Sequence, residues 1–175
     1  MPGVVRIGVS GHRQLDDPHA LGSLVDEVLD ELGEGGTIVS SVAEGADRLV
    51  AWRALQRPGW RLVAVLPLPP DDYADDFDSD ESRADFAALL DAAAEVEQVP
   101  DQPTRDDAYH AAGVRVLERS EVLIAVWDGA PARGRGGTAE IVQLARDEGR
   151  PLAWLNTSGA APVLTRERWR WGRDA

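Results

Sequence analysis

Residues Val122 to Glu140 read VLIAVWDGAPARGRGGTAE, and this stretch decides the fold. The apolar run 122–127 is typical of a buried strand in a parallel sheet. A glycine-rich loop follows, and the pattern then predicts a helix from about Ala139 to Glu148. A strand that passes through glycines into a helix N-terminus can bind a phosphate group, because the first helical amides lack partners.

The same alternation of strand and helix extends along the rest of the chain. The other predicted strands span residues 4–10, 37–42, 61–66, 96–99 and 152–155. The other predicted helices span residues 21–32, 46–56, 86–94 and 106–119. Such alternation predicts an α/β fold, a Rossmann-like three-layer sandwich with a mostly parallel central sheet. We expect one domain over residues 1–160 and a tail over 161–175, with 152–155 as the last sheet strand.

Composition narrows the function classes. The 175 residues carry a formal charge of −13, which argues against nucleic-acid and anionic-membrane partners. The sequence contains no cysteine and no lysine, which excludes thiolate chemistry, pyridoxal-phosphate enzymes and Walker A loops. No paired histidine spacing suggests a metal, and we predict no cofactor. The first residues lack the pattern of a signal peptide, so we expect a cytoplasmic protein.

The loop after the first strand reads Gly8-Val9-Ser10-Gly11-His12-Arg13. Its glycines allow close approach of a ligand, while Ser10 and Arg13 add a hydroxyl and a positive charge. The loop nearly matches the G-x-S-x-G elbow of hydrolases, but His12 replaces the last glycine, so no hydrolase triad is predicted. We predict ligand contacts at Ser10, Gly11, His12 and Arg13; the alternative is a tight structural turn.

The second loop, residues 40–48, leads from the second strand into its helix. Small residues around Gly45 leave the helix amides accessible to a phosphate or a ribose. Glu44 and Asp47 can accept hydrogen bonds from ribose hydroxyls, or they can cap the helix instead. Glu44, Gly45 and Asp47 are therefore candidate ligand-binding residues, and helix capping by Asp47 stays open as the structural alternative.

The third loop is the strongest candidate site. Its glycines stand immediately before a helix, and two arginines supply positive charge within an acidic chain. The residues assigned to phosphate binding are Arg133, Gly134, Arg135, Gly136, Gly137 and Thr138. Asp128 and Gly129, at the start of the same loop, are predicted to contact the ligand.

These three loops, in this order, resemble the SLOG superfamily, the LOG- and DprA-like nucleotide-binding proteins. The nearest likeness is to a bacterial branch with the motifs Gly11-His12-Arg13, Ala43-Glu44-Gly45-Ala46-Asp47-Arg48 and Trp127-Asp128-Gly129 followed by Gly134-x-Gly136-Gly137-Thr138-Ala139-Glu140. The likeness covers residues 4–155. It implies a Rossmann-like fold and a nucleotide or nucleotide-derived ligand, either a nucleoside monophosphate or an ADP-ribose-like molecule. It also implies a homodimer.

Catalysis is a separate question within that superfamily. LOG phosphoribohydrolases split the N-glycosidic bond of nucleoside 5′-monophosphates and carry the motif Pro-Gly-Gly-x-Gly-Thr-x-x-Glu. Ile141 stands at the position of that glutamate, with Glu140 one residue earlier, and Arg115 is the nearest candidate for the LOG arginine. We therefore expect a sensor or binding module. The alternative is a LOG-like phosphoribohydrolase with Glu140 and Arg115 as catalytic residues.

Two further segments carry unusual composition. Residues 71–81 contain seven carboxylates, and we interpret them as a solvated acidic surface rather than a cation site or a lid. Residues 166–171 alternate arginine with tryptophan near the end of the chain. We expect these tryptophans to dock on the domain or on a dimer partner, rather than to bind nucleic acid.

Overall fold

The computed structural model describes residues 4–132 and 134–172. The strands are β1 (Val5–Gly11), β2 (Gly36–Ser40), β3 (Trp60–Leu66), β4 (Glu95–Gln98), β5 (Val122–Trp127), β6 (Leu152–Asn156) and β7 (Val163–Glu167). The helices are α1 (Pro18–Leu32), α2 (Ala46–Leu55), α3 (Pro70–Ala74), α4 (Asp80–Ala92), α5 (Arg105–Glu118) and α6 (Thr138–Asp147). The element types predicted from the sequence are confirmed up to β6, with ends that differ by a few residues.

The strands form one sheet in the order β4-β3-β2-β1-β5-β6-β7. Neighbouring strands are parallel from β4 to β6, and β7 pairs antiparallel with β6. The chain moves outward from β1 to β4 and then returns to place β5 on the other side of β1. The strand order therefore reverses between β1 and β5, where a crevice opens at the carboxyl ends of the strands.

Two helical layers cover the sheet because each central strand is apolar on both faces. In β5, Ile124 packs in the cluster that includes α1 and α2, whereas Leu123 packs against α5 and α6. Helix α1 buries a stripe of leucine and valine side chains on the same face as α2 and α4. The predicted three-layer α/β sandwich is confirmed.

The sheet extends further than the sequence analysis predicted. The expectation that residues 152–155 form its last strand is wrong, because Val163 to Glu167 adds the antiparallel edge strand β7. This strand is only half-buried and carries Thr165 and Arg166, so it lacks the apolar run that identifies a central strand. The antiparallel return covers the edge of β6 and brings the last described residues back over α1.

The tryptophans after β7 dock on the domain, as expected. Trp169 and Trp171 pack against the main hydrophobic cluster, and the Trp169 indole N–H donates to Glu31 of α1 at 2.7 Å. Arg166 forms an ion pair with the same carboxylate at 2.5 Å. The aromatic rings are thus used for intramolecular packing.

Candidate functional site

A cavity of about 290 Å³ occupies the crevice between β1 and β5, and we call it the main cavity. The loops after β1, β2 and β5 all contribute to its wall, together with Pro67 after β3, Tyr73 of α3 and one side of α5. Its lining residues are Val9, Ser10, Gly11, His12, Arg13, Ser41, Ala43, Asp47, Pro67, Tyr73, Tyr109, Ala112, Gly113, Gly136, Gly137, Thr138 and Ile141. This is the position at which parallel α/β sheets bind ligands.

The N-terminus of α6 lies at one side of the main cavity. Gly137 is the N-cap residue and provides no side-chain cap, so the first amides of α6 keep their capacity to bind an anion. The hydroxyls of Ser10 and Thr138 approach each other to 3.4 Å across the β1–β5 junction. Backbone amides, two hydroxyls and the positive end of a helix therefore meet at one point.

Glu140 shapes the glycine loop rather than facing the main cavity. Its carboxylate accepts a hydrogen bond from the Gly136 amide at 2.6 Å and contacts His110 Nδ1 at 3.1 Å. The hydrogen bond from the Gly136 amide holds the pKa of Glu140 below its usual range, and the nearby His110 lowers it further. Gly136 has φ of +83°, and an added Cβ would lie 2.8 Å from the backbone nitrogen of His110, so this turn requires glycine.

Asp47 is the buried carboxyl group of the main cavity. Its side chain accepts a hydrogen bond from the Ala43 amide at 3.3 Å, which fixes the turn between β2 and α2. Burial raises the pKa of Asp47 to about 6, although the Ser40 hydroxyl, the Ala43 amide and nearby arginines lower it. A carboxyl group with this pKa changes charge near neutral pH while it lines the cavity.

The other two candidates of the second loop have structural partners. Gly45 has φ of +81° and packs directly on the backbone carbonyls of His12 and Arg13, which brings the β1 and β2 loops together. The Glu44 carboxylate accepts a hydrogen bond from the Ser82 hydroxyl of α4. Both residues thus support the wall of the main cavity from outside its lining.

Arg13 is the cation among the described residues that line the main cavity. Its guanidinium lies 5.5 Å from the centre of the Tyr109 ring, on the α5 side. Within residues 4–132 and 134–172, it forms no ion pair with a carboxylate within 4 Å. Its charge is therefore available to an anion that enters the cavity.

A second cavity of about 210 Å³, which we call the side cavity, adjoins the main cavity. His12, Gly137 and Thr138 line both, and the side cavity is completed by Trp127, Asp128, Ala130, Pro131, Ala132 and Ala139. The Asp128 amide donates to His12 Nε2 at 3.1 Å, which links the loop after β5 to the loop after β1.

The structure brings many of the predicted residues into this double crevice. These are Ser10, Gly11, His12, Arg13, Asp47, Asp128, Gly136, Gly137 and Thr138. Arg133 lies outside the described residues. Gly129, Gly134 and Arg135 belong to the same loop but lie outside the lining of both cavities. Arg135 forms an ion pair with Asp107 of α5 at 2.9 Å, so its charge is already balanced.

Arg115 is not brought to the crevice. Its guanidinium forms ion pairs with Glu97 of β4 at 2.6 Å and with Glu118 at 3.4 Å. Glu140 lines a separate groove between α5 and α6, which includes His110 and Leu144. Neither of the two predicted catalytic residues therefore belongs to the lining of the main cavity.

The acidic segment, residues 71–81, contributes to the site in a way that its composition did not predict. Tyr73 of α3 lines the main cavity, and its ring packs edge-on against Phe77 at 5.0 Å between ring centres. Both rings are fully buried, while most carboxylates around them face outward. Phe77 lies just beyond α3, and two large aromatic side chains among seven carboxylates are the signal that part of this segment is buried.

Within residues 4–132 and 134–172, no group of three or more histidine or carboxylate residues is arranged to hold a metal. No helix among the same residues is long and apolar enough to cross a membrane.

Comparison with known proteins supports the fold. No protein-family model matches the chain, and no curated protein matches it. The crystal structure of DNA processing protein A (DprA) from Streptococcus pneumoniae aligns over 86% of this chain with a TM-score of 0.59 and 20% sequence identity. This chain spans half of the DprA chain's length. Likeness at this identity shows the fold, a Rossmann-like α/β domain.

Proposed function

We propose that this protein binds a phosphorylated nucleotide or nucleotide-derived ligand in the β1–β5 crevice and acts as a sensor or binding module. The observation that carries the proposal is the convergence of three loops on the main cavity, with α6 amides, two hydroxyls and Arg13 along its wall. These groups are complementary to a phosphate.

The remainder of the main cavity suits a nucleoside. Its wall includes Tyr73, Tyr109, Ala112 and Ile141, which offer aromatic and aliphatic surface to a base. Asp47 and Ser41 add acceptors that can bind sugar hydroxyls. The combination of one anion-binding end with apolar walls and a few acceptors favours a nucleotide over inorganic phosphate.

A hydrolytic role has weaker support than binding. Ile141 lines the cavity at the position where LOG enzymes carry their glutamate, and Glu140 is bonded to Gly136 and His110. We therefore propose binding without turnover. Free base released from a bound monophosphate, detected by chromatography and lost in Glu140→Ala, would instead support the phosphoribohydrolase.

The test uses Gly137, the N-cap of α6. Gly137→Asp should fold normally, because aspartate is a favourable N-cap residue, but its carboxylate should occupy the amides and repel a phosphate. Wild-type protein should show a thermal shift with nucleotides, since a ligand at a hundred times its Kd adds about 2.7 kcal/mol. Gly137→Asp should lose that shift.

Two controls make this test specific. Gly137→Ala introduces a Cβ whose nearest neighbour is 3.7 Å away, so it should retain most of the affinity. Gly159→Asp adds the same charge in the exposed loop between β6 and β7, where it should leave binding unchanged. Equal affinity in wild type and Gly137→Asp would refute the proposed phosphate position.

We also propose that nucleic acid is not the ligand. The name of the structural neighbour associates that protein with DNA processing. This chain has a formal charge of −13, which opposes binding to a polyanion. Fluorescence anisotropy with a labelled single-stranded oligonucleotide should show no binding at 0.1 M salt, and salt-dependent micromolar binding would contradict the proposal.

A further inference from the structure

The main cavity and the side cavity are two parts of one crevice. They have volumes of about 290 and 210 Å³ and share His12, Gly137 and Thr138. Together the two volumes fall well within the range of roughly 300–1,000 Å³ that is usual for ligand pockets. The N-terminus of α6 therefore lies between two chambers rather than at the end of one.

The two chambers differ in charge. The main cavity contains Arg13 and the buried Asp47, whereas the described lining of the side cavity has no arginine. Instead, the side cavity is lined by Trp127, Pro131 and three alanines, with His12, Asp128 and Thr138 as polar groups. Such a wall suits an uncharged group that has hydroxyls and an apolar face.

The side cavity is held open by hydrogen bonds within its own wall. The Trp127 indole N–H donates to the Ala130 carbonyl at 3.0 Å, and the Ala130 amide donates to Asp128 at 2.9 Å. The Trp154 indole N–H donates to the Trp127 carbonyl at 2.9 Å, which fixes the loop to β6. The small side chains of Ala130, Ala132 and Ala139 leave the space between these bonds unfilled.

From this geometry we infer that the ligand spans both chambers: a nucleotide whose phosphates lie at the start of α6 and carry a second, uncharged sugar-like group in the side cavity. This inference rests on the proposed function. It selects, from the two ligand classes that the sequence leaves open, the one with a central pyrophosphate. A nucleoside monophosphate would leave the side cavity empty.

The experiment compares matched pairs of ligands by isothermal titration calorimetry. AMP is compared with ADP-ribose, and UMP with UDP-glucose, so that each pair keeps its base and differs in the pyrophosphate-linked sugar. In at least one pair the extended ligand should bind ten or more times more tightly. ADP and UDP are included to separate the contribution of the second phosphate from that of the second sugar.

Variants assign the gain to the side cavity. Ala139→Phe fills a position that lines the side cavity alone, so it should remove the advantage of the extended ligand and leave the mononucleotide affinity unchanged. If Ala139→Phe does not fold, Ala132→Trp makes the same test at an exposed residue. Ser41→Phe, in the main cavity alone, should weaken both members of a pair.

The outcomes separate the two proposals. If monophosphates bind as tightly as the extended ligands, or if Ala139→Phe weakens both equally, the two-chamber inference is wrong while the proposed function stands. The inference is also wrong if ADP or UDP reproduces the whole gain. If no nucleotide of either kind binds to folded wild-type protein, the proposed function fails as well.

Discussion

Replacement of Asp47 by asparagine should stabilise the protein at neutral pH. Burial raises the pKa of this carboxyl from 3.8 to about 6. A rise of this size corresponds to about 3 kcal/mol of unfolding free energy. This stabilisation is present below the unfolded-state pKa and is lost as the pH rises through the folded-state pKa. Asparagine has nearly the same shape, accepts from the Ala43 amide and does not ionise, so it avoids that loss.

The measurement is urea unfolding of wild type and Asp47→Asn at several pH values between 4 and 7.5. Subtraction of the two curves removes the contribution of the other carboxylates, whose titration is common to both proteins. The stability advantage of Asp47→Asn should grow by about 2 kcal/mol between pH 4 and pH 7, because the unfolded-state carboxyl is already partly ionised at pH 4. Asp91→Asn, at an exposed position of α4, is the control for the loss of one carboxylate. A flat or falling difference for Asp47→Asn would refute the argument.

Four other predictions concern the same crevice. Arg13→Gln should weaken AMP or ADP-ribose binding about tenfold and reduce its salt dependence in calorimetry. Gly136→Ala should cost about 1–3 kcal/mol in urea unfolding, because its φ is +83°; stability equal to wild type would contradict this. Glu140→Ala should cost about 1 kcal/mol, since it leaves the Gly136 amide without its acceptor, whereas Glu140→Gln should largely restore stability. An anionic ligand beside Asp47 should raise its pKa further, so binding heats at pH 6.5 should vary with the ionisation enthalpy of the buffer.

Most of the fold follows from local sequence patterns. The run at 122–127 is apolar throughout because β5 is covered on both faces, and it becomes a strand with the predicted bounds. Strand β7 escapes prediction because it is an edge strand with Thr165 and Arg166 in its middle, and its pairing with β6 is a tertiary contact. Sequence periodicity reports burial, so it loses power where a strand is half-exposed.

The site was predictable at the level of loops but less so for individual side chains. Ser10, Arg13 and Asp47 meet at one cavity because parallel strands bring their carboxyl ends to one edge of the sheet. Glu44 instead binds Ser82, and Arg135 binds Asp107. Both partners lie on helices that are distant along the chain, so the sequence around Glu44 and Arg135 does not reveal them. Nothing local in the sequence distinguishes a carboxylate that faces a ligand from one that faces a neighbouring helix.

The two outer strands of the sheet have a consequence for self-association. Strand β4 reads Glu-Val-Glu-Gln, and its Glu95 and Glu97 carboxylates bind Arg119, the residue that follows α5. On the opposite side, β7 carries Thr165 and Arg166, and Arg166 is tied to Glu31. Charged, short outer strands resist the edge-to-edge pairing that starts β-aggregation. Edge-to-edge pairing between copies of this chain is therefore disfavoured, and concentrated protein should remain free of strand-mediated fibrils.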